Sequence, residues 1–72
     1  MNLKTAICNE VIQPKYLKVY MYLEELERTN NIDIRRGHKR DIVDILSDII
    51  LIKEKYQIPY IEDLELLEKY KK

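Results

Sequence analysis

The densest chemistry in this chain is the run Arg35-Arg36-Gly37-His38-Lys39-Arg40, which sets four cations and the only histidine around the only glycine. Guanidinium forks and an ammonium at that spacing suit phosphate oxygens, which arginine grips through paired, parallel hydrogen bonds. The rest of the chain exerts no general pull on anions. Its 13 Lys and Arg balance 13 Asp and Glu, for a formal net charge of zero. Any hold on nucleic acid or anionic lipid must come from this local patch.

Hydrophobic spacing predicts a helix beginning near residue 38, so the basic run stands at a helix start. Cations there oppose the macrodipole, which favours anions, and a phosphate held on free N–H groups relieves that conflict. An internal solution also exists. If the flanking helices form an antiparallel hairpin, Glu24, Glu25 and Glu27 end one helix beside the basic start of the next. Arg40 and Asp44 also share a face, one turn apart. Internal pairing needs no ligand and is the simpler reading. A DNA-reading helix-turn-helix is disfavoured, because Asp41, Asp44 and Asp48 would occupy the face offered to the groove and repel phosphates. What remains of nucleic-acid binding is a backbone contact from Arg35, Arg36, His38, Lys39 and Arg40, weakening steeply with salt.

Parts for other chemistry are missing. A single cysteine, Cys8, excludes an intrachain disulfide, and Cys8 with His38 leaves a zinc site short of ligands. A Cys–His nucleophile pair lacks a signalled orienter, and Cys8 reads as a small buried hydrophobe. Asp41, Asp44 and Asp48 lie along a straight helix, whereas calcium gathers roughly six or more oxygens from a turning loop; they read as a solvated face. No glycine-rich phosphate cradle or metal-ligand spacing occurs. The expectation is a protein that is not an enzyme, with no cofactor and no metal.

The elements that must position the basic run are helices. Glycine and proline are scarce, and Leu, Ile, Glu and Lys abound. Pro14 and Pro59 each precede an amphipathic stretch and suit a first helical turn. The spacing predicts a weak helix over 3–12, then helices over 14–29, 38–57 and 59–70. The second puts Tyr16, Leu17, Val19, Tyr20, Met21, Leu23 and Leu26 on one side, with Tyr22 opposite. The third buries Ile42, Val43, Ile45, Leu46, Ile49, Ile50, Ile52 and Tyr56, with Leu51 stranded among polar neighbours. The fourth uses Tyr60, Ile61, Leu64, Leu67 and Tyr70. Thr29 to Asp33 reads as a turn, and Ile32 and Ile34 alternate with polar residues as a short extended piece would. Lys69, Lys71 and Lys72 complement a helix C-terminus, where the dipole favours cations.

The expected fold class is therefore all-α. It is a small bundle of three main helices plus a short N-terminal segment, one helical domain over 1–72, completed by dimerisation. A chain of 72 residues buries only about 60% of its unfolded surface. The apolar faces are also wider than three short helices can cover, though a compact monomer with a few exposed leucines is the plain alternative. Tyr16, Tyr20, Leu51, Tyr56 and Tyr60 are the candidate interface, since tyrosine joins an apolar body to a wet hydroxyl. The longest apolar run, Ile49 to Ile52, is far short of the roughly 20 residues that span a membrane. With a lone cysteine and no leader-like stretch in residues 1–7, a cytoplasmic protein is expected. The functional expectation is a small helical interaction or regulatory module that acts through protein contacts, as a homodimer or on a larger protein. Binding to the nucleic-acid phosphate backbone through residues 35–40 is the alternative.

Overall fold

Two asparagines start helices by the same device. The Asn2 side chain accepts from the Thr5 N–H at 2.8 Å, opening α1 (Leu3–Ile7). Asn31 accepts from the Asp33 and Ile34 N–H groups at 3.0 and 3.1 Å, opening α3 (Ile32–Lys55). Each bond satisfies N–H groups that have no partner within the helix. The computed structural model describes residues 2–71, and among them every regular element is helical. α1 runs through a π-helical segment (Cys8–Ile12) into α2 (Gln13–Arg28), and α4 (Ile61–Lys71) completes the order. The chain is thus an all-α bundle with three main helices. None of them is long and apolar enough to cross a membrane.

Four boundaries differ from the sequence expectation, among them the start of α4 at Ile61 rather than 59, which leaves Pro59 outside the helix. The segments predicted over 3–12 and 14–29 join without a break. Pro14 does not start a helix afresh. A proline inside a helix lacks its N–H and crowds the carbonyl four residues back, and the wider π turn, in which the Gln13 N–H reaches the Cys8 carbonyl, precedes it. The third helix begins at Ile32, not near 38, because Asn31 caps it. Ile32 and Ile34 are helical rather than extended, and the basic run lies inside α3. The third helix also ends at Lys55, short of 57. Gln57 takes a left-handed φ of 58°. Its N–H donates to the Glu54 carbonyl at 3.2 Å and the Ile58 N–H to the Lys53 carbonyl at 2.8 Å. That pair of bonds is a Schellman stop, followed by Pro59.

α3 is the central helix, packed against α2 on one flank and α4 on the other. Pairings such as Tyr22 with His38 and Lys15 with Asp48 show α2 and α3 to be an antiparallel hairpin. The buried apolar residues are Ile12, Val19 and Leu26, then Ile42, Leu46 and Ile49, then Leu67. Their steps of three, four and seven are a coiled-coil-like seam. The same steps carry the seam to Tyr16 and Leu23 on α2, Lys53 on α3, and Asp63 and Tyr70 on α4. Two faces are accordingly rotated from expectation. Leu17, Tyr20 and Met21 of α2 point outward while Tyr22 packs inward, and α4 buries Asp63 but exposes Ile61 and Leu64.

Candidate functional site

Where the seam leaves apolar residues it meets a polar layer, one residue from each main helix. Lys53 Nζ donates to Asp63 Oδ2 at 2.6 Å and to the Tyr16 hydroxyl oxygen at 2.8 Å. The Tyr16 hydroxyl in turn donates to Asp63 Oδ1, closing a ring of three bonds. Lys53 and Asp63 are almost out of solvent, with side chains 13% and 6% exposed. Among the described residues no buried side-chain nitrogen or oxygen lacks a partner. Burial pushes the Tyr16 hydroxyl above its ordinary value and its bond to the Asp63 carboxylate adds to that, while Lys53 offsets part of it. Burial works against the charged form of Lys53, but the bonds to Asp63 and Tyr16 outweigh it and hold the ammonium above its ordinary value. Each member of the trio is thus bonded to the other two. The trio ties α4 to the α2–α3 hairpin.

The basic run divides into two roles. Arg35, half-buried, turns back along the hairpin and donates to the Leu26 carbonyl and, at 3.1 Å, to the Thr29 carbonyl. It caps the C-terminus of α2, where a cation meets the negative end of the dipole. His38 packs against Tyr22 with ring centroids 5.1 Å apart, so its ring belongs to the hairpin seam. Arg36 and Arg40 are exposed and Lys39 half-buried. The expected pairing of the run with Glu24, Glu25 and Glu27 does not form. Among the described residues no carboxylate oxygen lies within 4.0 Å of an Arg36, Lys39 or Arg40 nitrogen. Arg28 is the partner of Glu24 and Glu25, at 3.9 and 4.0 Å. The run lies level with those glutamates across the hairpin, as Tyr22 opposite His38 shows, and Glu27 shares a hollow with Arg35 and Lys39, yet none of the three comes within bridging distance of the run. Arg40 and Asp44 share no bridge either, and Asp48 reaches Lys15 instead, at 3.9 Å.

α4 brings a second set of cations to the same place. Running back along α3, it lays Tyr70 and Lys71 beside Arg36, Lys39, Arg40 and Val43, around a shallow depression of about 300 Å³. A neighbouring hollow of about 400 Å³ is lined by Ile32, Arg35, Arg36 and Lys39. No acidic residue lines either one. Lys71 therefore does more than complement its own helix end, and an aromatic side chain does border the basic run. Sequence separation hides both facts.

The other singled-out residues scatter. Tyr16 is in the polar layer. Tyr20 stacks on Tyr16 at 6.2 Å between centroids and is largely exposed, as is Leu51. Tyr56 ends α3, and Tyr60 is half-buried ahead of α4. Cys8 is half-buried against the core. Asp41, Asp44 and Asp48 line a groove with Glu10, Lys15 and Lys18 on the flank of α3 that faces α2. Among the described residues no cluster of three or more His, Cys, Asp or Glu is placed to hold a metal ion. Lys53 and Asp63 are the residues that sequence reasoning missed. Charged side chains read as outward-facing, yet the steps 42, 46, 49, 53 and 63, 67, 70 place both on the seam.

No family model matches the chain, and no curated protein or solved structure matches it either.

Proposed function

We propose that the chain is a small non-enzymatic helical interaction module, working through protein contacts and completed by a second copy of itself on the outer face of α2. The observation that carries this reading is the stripe Leu17, Tyr20 and Met21, which are 60%, 53% and 55% exposed on the side of α2 opposite Val19 and Leu26. The accessible surface of 5486 Å² exceeds the roughly 4,800 Å² of a compact monomer of this mass by about 700 Å². One side of a standard interface covers about 800 Å². Elongation agrees with that surplus: the radius of gyration is 13.2 Å, against about 11 Å for a compact chain of this length.

A second copy suits the stripe because it is short and apolar, and a two-fold axis lets one such patch cover another. Toward a larger protein the role is regulatory or scaffolding rather than chemical. The test is solution mass by light scattering at tens of micromolar. The double variant Leu17→Glu, Met21→Glu is expected to halve the mass while keeping its helical circular dichroism. Leu51→Glu, at an equally exposed site on α3, leaves the mass unchanged. A monomeric wild type contradicts the reading, as does a double variant of unchanged mass.

A further inference from the structure

We propose that Arg36, Lys39 and Arg40 of α3, joined by Lys71 of α4, form a binding surface for the phosphate backbone of single-stranded nucleic acid. The surface is separate from the α2 stripe and does not depend on it. Three observations converge. Three cations from the middle of the chain and one from its last helix meet at one shallow depression, and among the described residues none has a carboxylate within 4.0 Å. Arg36 and Arg40 stand one turn apart on α3, where their like charges disfavour each other. Glu27 borders the adjoining hollow with Arg35 and Lys39, but no acid lines the depression itself, so an external anion would offset the grouping.

The geometry selects the anion. Arg36 and Arg40 are spaced about 6 Å along the helix axis, with Lys39 between them and Lys71 across the depression. They form a row rather than a converging cage, and a row fits a chain of phosphates better than one. Tyr70 and Val43 provide an apolar floor beside the row, on which sugar and base faces can rest. Duplex DNA keeps those faces stacked inside, whereas a single strand offers them. Contacts of this kind go to phosphate and to base faces rather than base edges, so little dependence on sequence is expected.

Fluorescence anisotropy with a labelled 16-nucleotide mixed-sequence DNA strand, alone and as a duplex, tests the proposal. Four phosphate contacts on a single strand give a log–log salt slope of about −2.8, roughly a fifty-fold loss of affinity from 50 to 200 mM salt. Arg36→Gln with Arg40→Gln halves the slope, to about a sevenfold loss across the same range. Lys18→Gln, on the opposite groove, and the α2 double variant leave binding as in the wild type. Absence of binding at 50 mM salt and 100 micromolar protein overturns the proposal. So does an unchanged slope in the folded Arg36, Arg40 variant, tighter binding to the duplex, or displacement by poly-glutamate as potent as by unlabelled strand.

Discussion

Tyr16, Lys53 and Asp63 are single side chains whose worth depends on one another. Removing one member of a buried ion pair strands its partner's charge, a loss of about 3–5 kcal/mol, whereas replacing the whole group by apolar residues of similar volume is often neutral or stabilising. Asp63→Ala is therefore expected to lower stability by about 3–5 kcal/mol in urea unfolding at pH 7. The triple variant Tyr16→Phe, Lys53→Met, Asp63→Leu should stay within about 1 kcal/mol of the wild type, or exceed it. The pH dependence has a definite sign. Both Tyr16 and Lys53 hold their protons more tightly in the fold than at their ordinary values of 10.0 and 10.5. Their contribution is fully present below pH 10 and drains away as pH rises through the raised values. The wild-type urea midpoint should fall between pH 9.5 and 11.5 by more than that of the triple variant. Equal slopes there would mean the trio is not linked to folding.

At the scale of elements, local capping decided what periodicity left open. The apolar pattern located three main helices and most of the core correctly, because Ile42, Leu46, Ile49 and Val19 obey helical spacing with no polar interruption. It placed the start of α3 six residues late, because the pattern begins at Ile42 while the helix is set by the Asn31 cap. The faces of α2 and α4 were misread for the opposite reason. Tyr20, Met21 and Leu64 look like core and Asp63 does not, so a pattern blind to polar pairing rotates both faces while still keeping Val19, Leu26 and Leu67 inside. The basic run was visible in the sequence, but its partner Lys71 lies more than thirty residues away and becomes a neighbour only through α4 packing.

Two substitutions test the elements directly. Gly37 sits inside α3 with nothing within 4 Å of where a Cβ would stand. Gly37→Ala should therefore add about 0.5–1 kcal/mol, a rise of about 3–6 °C in Tm for a chain of this size. Asn31→Ala removes the cap and should cost about 1 kcal/mol, with the first turn of α3 fraying in hydrogen exchange. Were residues 32–37 an extended or turn segment, neither change would move stability in that direction.

The whole molecule is a thin, elongated bundle, 43 × 20 × 14 Å, whose small core is shared unevenly. α3 is covered on two flanks, while α2 and α4 each keep an apolar edge in solvent. Four cations, Arg36, Lys39 and Arg40 of α3 and Lys71 of α4, gather on one shelf, while α3 carries its own acids Asp41, Asp44 and Asp48 on the flank facing α2. The proposed second copy would cover the α2 edge, and the proposed polyanion would lie on the shelf. A dilution series in light scattering, from about 100 micromolar to about 1 micromolar wild-type protein, bears on that account most directly. The account expects twice the 8.8 kDa chain mass at the upper end, falling towards the chain mass on dilution. A constant 8.8 kDa at every concentration contradicts it.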